Sequence, residues 1–112
     1  MPTTQAPAIA VLQTKLGAAK KIPRSRIWIE GERLTRAGFT HGTRVSALWL
    51  ASGSLWLYPD DDLSGDAVTH HKVAGTPERP IIDITGARVR DTFPDVERVT
   101  VTFFPGRIEI TR

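Results

Sequence analysis

Apolar and polar residues alternate along two pairs of neighbouring segments of the chain. Segments 98–104 (RVTVTFF) and 107–111 (RIEIT) are apolar at every second position, which predicts two half-buried strands joined by a tight Pro-Gly turn. Segments 44–50 (RVSALWL) and 54–59 (SLWLYP) predict a second pair of strands around a glycine-containing turn. The positions predicted to face the core are Val45, Ala47, Trp49, Leu55 and Leu57 in this first hairpin, and Val99, Val101, Phe103, Ile108 and Ile110 in the second hairpin.

The first hairpin differs from the second because both of its faces are apolar. Its other face carries Leu48, Leu50, Trp56 and Tyr58. A strand that is apolar on both faces is covered on both. The candidates for this cover are the N-terminal segment, the segment after the hairpin, or a second copy of the protein. The last alternative predicts a homodimer through the outer face of the first hairpin.

A strand and a short helix precede each hairpin. Residues 26–30 (RIWIE) and 80–85 (PIIDIT) are apolar and β-branched, and a glycine follows each run. One or two helical turns come next, over residues 32–37 and 87–92. The same order at a nearly constant spacing indicates an internal duplication. We therefore predict a strand-rich α+β fold made of two strand–short helix–β-hairpin units, packed about a pseudo-twofold axis.

The chain divides into four parts of one domain. A short helix is expected near Ala8–Leu16 in the first part, and a short strand in Ala67–Val73 in the third. The parts are a flexible N-terminal arm at 1–20, the first unit at 21–59, a polar linker at 60–79 and the second, degenerate unit at 80–112.

Composition narrows the chemistry that this chain can perform. None of the 112 residues is a cysteine, which excludes disulfides, thiolate metal sites and cysteine nucleophiles. The run Asp60–Gly65 is similar to the start of a calcium loop, but His71 occupies the position of the bidentate glutamate. No apolar run is long enough to cross a bilayer. We expect a cytoplasmic protein that binds no metal, cofactor or membrane.

Positive charge is concentrated in the first half of the chain. Residues 1–52 carry eight basic and two acidic side chains, a net charge of +6, whereas residues 53–112 carry seven and ten, a net charge of −3. Such an asymmetry predicts a surface for a polyanion, DNA or RNA, and the planar fork of arginine suits phosphate. The predicted nucleic-acid-binding residues are Lys20, Lys21, Arg24, Arg26, Arg33, Arg36 and Arg44.

The stretch IPRSRIWIEGERLTRAGFTHGTRV, residues 22–45, resembles the SymE-like toxin family of the swapped-hairpin AbrB superfold. The matching features include the strand 27–29, the motif Ala37-Gly38-Phe39 and Gly42. The resemblance implies a swapped-hairpin barrel in which two units interlock, here supplied by one chain. It also implies DNA binding, and a nucleoid-associated location if DNA is bound. The second unit reads Asp91-Thr92-Phe93 in place of the motif, so the family's activity is not carried over to it.

Two other functions stay open at this point. SymE-like members are described as toxins that act on RNA, so one alternative is an endoribonuclease without a metal. His41 is its candidate general base, because it lies in the turn beside Arg44. The other alternative is an antitoxin or protein-interaction module that uses the outer face of the first hairpin. We favour nucleic-acid binding, with DNA first, over an enzyme.

Overall fold

The structure, a computed structural model that describes residues 7–112, contains ten strands and two short helices. The elements are β1 (Ala10–Lys15), β2 (Gly17–Ala19), β3 (Ile22–Glu30), α1 (Glu32–Arg36), β4 (Arg44–Leu50), β5 (Ser54–Tyr58), β6 (Val68–Lys72), β7 (Ala74–Gly75), β8 (Pro80–Thr85), α2 (Ala87–Thr92), β9 (Arg98–Phe104) and β10 (Arg107–Thr111). The strand-rich α+β class predicted from the sequence is confirmed. None of the helices in the described part of the chain is long and apolar enough to cross a membrane.

The strands form two antiparallel sheets. One has six strands in the order β1-β9-β10-β5-β4-β6, and the other has four in the order β2-β3-β8-β7. The strands of the first half, β1 to β5, correspond in sequence order to those of the second half, β6 to β10. If each strand is replaced by its counterpart, both sheets keep the same strand order, now read from the opposite edge. The second half of the chain therefore repeats the element order of the first half, and the two halves meet in both sheets.

The strand registers repeat in the same way. Between β3 and β8, Ile27 pairs with Ile84 and Ile29 pairs with Ile82, so the pairing is symmetric about Trp28 and its partner. The β5–β10 pairing is symmetric about Trp56 in the same manner. Because side chains alternate between faces along a strand, a symmetric register places equivalent aliphatic residues of both halves on the same side of each sheet.

The core lies between the sheets and contains all the residues predicted to face inward. Each of the ten predicted core positions in the two hairpins is buried, and Trp49 is the most exposed of them at 8%. Phe39 and Phe93, which follow the two helices, are fully buried, as are Leu34 and Val89 on the helices themselves. The period-two interpretation of both hairpins is thus confirmed.

Strands β1 and β2 lie in the segment predicted to be a flexible arm. The helix expected near Ala8–Leu16 is wrong, because β1 pairs with β9 along its whole length. The backbone N–H of Leu16 continues this pairing by donating to the carbonyl of Glu97, at 2.8 Å. A strand at a sheet edge needs only one apolar face, so its local pattern is weak and its partner lies far along the chain. Residues 1–6 of the predicted arm lie outside the described residues.

Strands β6 and β7 lie in the segment predicted to be a polar linker. The short strand expected in Ala67–Val73 is confirmed as β6, which pairs with β4. The N–H of Val73 donates to the carbonyl of Thr43 at 2.9 Å, in the position that Leu16 holds in the first half. Both Val73 and Leu16 are buried. Each half of the chain therefore contributes an edge strand to the other half's hairpin, which the sequence analysis missed.

The outer face of the first hairpin is partly covered by the chain itself. Its four apolar residues are all half-buried. Ser46 points to this outer face, and its hydroxyl donates to the carbonyl of Asp60 at 2.9 Å. The segment that follows β5 therefore crosses β4 on the outer side before β6 pairs with it. The segment that follows the first hairpin therefore covers part of the hairpin's outer face, as one of the three alternatives predicted.

Candidate nucleic-acid interface

The seven basic residues predicted from the sequence are spread over the β2–β3 turn, β3, α1 and β4. Lys20 and Lys21 form the turn before β3, and Arg24 lies in the first residues of that strand. Arg33 and Arg36 lie on α1, which begins after β3 has ended. The six steps from position 24 to the end of β3 at position 30 span about 20 Å at the usual rise of a strand. Lys20, Lys21 and Arg24 therefore lie towards the beginning of β3, whereas Arg33 and Arg36 lie beyond its end.

Two of the predicted residues are engaged by carboxylates. The guanidinium of Arg26 makes a bidentate contact with Asp83, with its Nε and Nη2 atoms 2.8 and 2.7 Å from the two carboxylate oxygens. This hydrogen bonding raises the pKa of Arg26, and the same guanidinium lies 4.7 Å from the ring centroid of Trp28. Arg44 lies 3.8 Å from a carboxylate oxygen of Asp61. Both arginines are therefore partly neutralised by the protein.

The turn between β2 and β3 holds two lysines in an unfavourable backbone conformation. Lys20 and Lys21 have φ angles of 51° and 67°. Ala19 pairs with Ile22 across them, so they are the central residues of a two-residue hairpin turn. Positive φ at both positions is the requirement of a type I′ turn, for which Asn-Gly is the preferred pair. A residue with a Cβ atom costs roughly 1–2 kcal/mol of folding free energy in this backbone region. The turn is therefore less stable than one built from Asn-Gly, and it presents two exposed ammonium groups.

A bulge in β3 brings Arg24 out of the regular strand. Gly17 pairs with Arg26 while Ala19 pairs with Ile22, so three residues of β3 lie opposite the single residue 18. Arg24 in this bulge has a φ of 57°. The buried hydroxyl of Ser25 closes the bulge, since it accepts from the N–H of Ala19 at 3.0 Å and donates to the carbonyl of Ile22 at 2.7 Å.

Two cavities border Arg24, and no other described residue lines both of them. The larger cavity, of about 530 Å³, is lined by Lys15, Leu16, Gly17, Ala18, Pro23, Arg24 and Glu97. The smaller cavity, of about 400 Å³, is lined by Arg24, Arg90, Asp91, Pro94 and Asp95. Asp95 is the remaining non-glycine residue with positive φ among residues 7–112, at 59°. All four such residues therefore lie in the β2–β3 turn, in its bulge or at the adjoining cavity.

Basic residues from both halves of the chain meet around these cavities. Arg98 lies directly across from Lys15 in the β1–β9 pairing. Arg88 lies in the next cavity along α2, which shares Asp91 with the smaller cavity above. The guanidinium of Arg112 approaches Gly53 at the far wall of that cavity. We name this region the α2 surface; its basic residues are Lys15, Lys20, Lys21, Arg24, Arg88, Arg90, Arg98 and Arg112.

The α2 surface carries most of the uncompensated positive charge of the protein. Its eight basic residues are accompanied by Asp66, Asp91, Asp95 and Glu97, so its net charge is +4. The rest of the chain has seven basic and eight acidic residues, a net charge of −1. The four ion pairs found among residues 7–112 all lie elsewhere: Arg26–Asp83, Arg44–Asp61, Arg79–Glu30 and Arg107–Glu109.

Five residues of the α2 surface were not identified from the sequence. They are Lys15, Arg88, Arg90, Arg98 and Arg112. Four of them belong to the half of the chain whose net charge is negative, so a count by halves hides them. The internal repeat did contain one signal, because Arg88 occupies the position in α2 that Arg33 occupies in α1.

The histidines do not form a catalytic arrangement in the described part of the chain. His41 is exposed, and its side chain makes no hydrogen bond to any residue in 7–112. His71 is half-buried on β6, and its Nε2 lies 2.7 Å from the hydroxyl of Thr69. Since the indole N–H of Trp49 donates to that hydroxyl at 2.8 Å, the hydroxyl proton is free to donate to His71. Burial, and next the charge of His70, lower the pKa of His71.

Comparison with known proteins finds no family model, no curated protein and no solved structure that matches this chain.

Proposed function

We propose that the protein binds nucleic acid, DNA first, through phosphate contacts made by the α2 surface. The observation that carries this proposal is the separation of charge: eight basic residues lie in the β2–β3 turn, in its bulge, on α2 or beside the adjoining cavities, and none of them belongs to an ion pair within residues 7–112. Seven of the eight are exposed, and Arg24 is half-buried. Cations without carboxylate partners are the groups that phosphate oxygens can engage at the least cost.

The proposal differs from the sequence-based expectation in the residues that do the binding. Lys20, Lys21 and Arg24 are retained because they lie on the α2 surface. Arg26 and Arg44 are given structural roles, since each has a carboxylate partner. Arg33 and Arg36 are exposed on α1, about 20 Å of strand away, and serve as the comparison group.

We also infer that the chain is an internally duplicated swapped-hairpin barrel of the AbrB type. The symmetric strand order of both sheets and the symmetric registers support this architecture. So does the contact of Gly106, at the tip of the second hairpin, whose N–H donates to the carbonyl of Ala37 in the first unit at 2.9 Å. A SymE-like, regulatory or toxin-like role in a bacterial cytoplasm rests on the resemblance of residues 22–45. A homodimer through the first hairpin stays a prediction.

The experiment is a salt titration of binding to a DNA duplex and to an RNA of equal length. The test variant is Lys20→Asn/Lys21→Gly, which removes two charges and installs the residue pair that the turn prefers. Each phosphate contact contributes a slope of about 0.9 in a plot of log K against log salt for B-DNA. The variant is therefore expected to bind more weakly and to lose about 1.8 from that slope, without loss of folding stability.

The matched control is Arg33→Gln/Arg36→Gln, which removes the same number of charges from α1. Its salt slope is expected to stay within experimental error of the unmodified protein. Equal losses for both double variants would refute the assignment to the α2 surface, and binding by neither DNA nor RNA would refute the function. Cleavage of the RNA that disappears in His41→Ala would instead establish the endoribonuclease alternative.

A further inference from the structure

The two cavities beside Arg24 indicate which form of nucleic acid the α2 surface accepts. We propose that it binds a single strand of DNA or RNA, with one nucleotide in each cavity and the intervening phosphate on Arg24. This inference rests on the function proposed above and adds the conformation of the ligand to it.

The size and position of the cavities fit two successive nucleotides. Their volumes of about 530 and 400 Å³ fall within the range of small-molecule sites. Arg24 lines both, so this residue lies where a phosphodiester would pass from one cavity to the other. The bulge and the hydroxyl of Ser25 hold this position, which limits the ordering that binding requires.

The linings also have the chemistry that nucleotides need. In the larger cavity, Leu16, Ala18 and Pro23 give an apolar wall for the face of a base, while Lys15 lies at the same cavity for phosphate. Glu97 lines that cavity and can accept from the N–H groups on the edge of an unpaired base.

The smaller cavity repeats this combination of a base wall, carboxylate acceptors and cations. Pro94 supplies apolar surface there, and Arg90 lies beside Asp91 and Asp95. Carboxylates in a phosphate-binding surface are unfavourable for a ligand that presents only phosphates. They become useful when base edges are within reach.

A duplex cannot use these cavities because its bases are paired and stacked inside the helix. It would contact the α2 surface through phosphates alone. A single strand can place its bases against the cavity walls, and contacts of this kind add to the electrostatic attraction. Charge alone favours the duplex, which carries twice the phosphates per unit length, so tighter binding of the single strand is diagnostic.

The test is fluorescence anisotropy at fixed salt with a labelled 12-nucleotide DNA strand, the corresponding RNA strand and the 12-base-pair DNA duplex. The single strands are expected to bind at least about tenfold more tightly than the duplex. Ala18→Leu narrows the larger cavity from an exposed position without a change in charge. It is expected to weaken single-strand binding about fivefold or more and to leave duplex binding unchanged. Ala74→Leu, at an exposed position on β7 away from both cavities, is the matched control and is expected to change neither.

A duplex bound as tightly as the single strands would overturn this inference. So would an Ala18→Leu variant that affects both ligands equally or neither. These outcomes leave the proposed function intact as long as Lys20→Asn/Lys21→Gly still weakens binding. Loss of the function itself would appear as no binding to any of the three ligands. A difference between the DNA and RNA strands identifies which of the two sources of single strand the surface prefers.

Discussion

Replacing Ser25 by alanine tests whether a single hydroxyl holds the bulge that presents Arg24. The Ser25 side chain is 1% exposed, and its hydroxyl joins the N–H of Ala19 to the carbonyl of Ile22. Its removal takes away both of these hydrogen bonds in a site that is partly shielded from water. A net contribution of about 1 kcal/mol for each hydrogen bond gives a loss of about 2 kcal/mol in the free energy of unfolding. For a chain of this length, this corresponds to a fall in Tm of roughly 8 °C.

The assay is urea unfolding followed by tryptophan fluorescence, with Ser52→Ala as the control. Ser52 is exposed in the turn after β4 and its side chain makes no hydrogen bond within residues 7–112. Its replacement is expected to change the free energy of unfolding by less than about 0.5 kcal/mol. Ser25→Ala should also weaken nucleic-acid binding although the net charge is unchanged. The reasoning is refuted if the two serine variants are equally stable.

Three further variants test the fold. Gly75→Ala is expected to cost about 2 kcal/mol or more, because the residue has a φ of 81° and a Cβ there would overlap the carbonyl oxygen of Arg79; thermal unfolding measures this loss. Phe39→Ala should cost about 3–5 kcal/mol in urea unfolding, since a fully buried aromatic ring is removed, and a loss below 1 kcal/mol would contradict its place in the core. His71 has a lowered pKa in the folded state, so the unfolded state binds its proton more readily. Stability should therefore be constant above about pH 6.5 and decrease as the pH falls below that value, and His71→Gln should remove this decrease from a pH series of unfolding curves.

The two halves of the chain differ in charge at the turn that precedes β3 in the first half and β8 in the second half. The first half has a two-residue turn with two lysines before β3. The equivalent turn before β8 also has two central residues, Pro77 and Glu78, because Thr76 and Arg79 on either side of them exchange reciprocal backbone hydrogen bonds. Its charges are balanced, because Glu78 accompanies Arg79, which lies 3.9 Å from Glu30. The turn before β3 therefore carries a charge of +2, and the equivalent turn before β8 carries no net charge. Such an asymmetric molecule is expected to bind a strand at one site rather than at two.

Local pattern was sufficient for the parts of the fold that carry strong alternation. The second hairpin could be predicted together with the residues that face the core. Val99, Val101 and Phe103 are apolar and buried, and the residues between them at positions 100 and 102 are threonines. The order of strand, short helix and hairpin was predictable in both halves for the same reason. The fully buried phenylalanines after the helices also followed from their place in the repeat.

The candidate site depended on contacts that no local pattern contains. Lys15 and Arg98 are neighbours only because β1 pairs with a strand more than eighty residues later in the chain. Arg24 and Arg90 share a cavity only because α2 packs beside β3. Counting charges by halves showed that the first half is positive, but it could not show which basic residues are paired with carboxylates. Ion pairs such as Arg26–Asp83 join a residue of one half to a residue of the other.

The sequence by itself therefore determined the class of fold, the two hairpins and most of the core, because burial imposes a period on residues that are close in the chain. Tertiary structure alone decided which cations remain without carboxylate partners. That outcome depends on distances between side chains from different strands, and Coulomb interactions and hydrogen bonds act over a few ångströms of space, whatever the separation along the sequence.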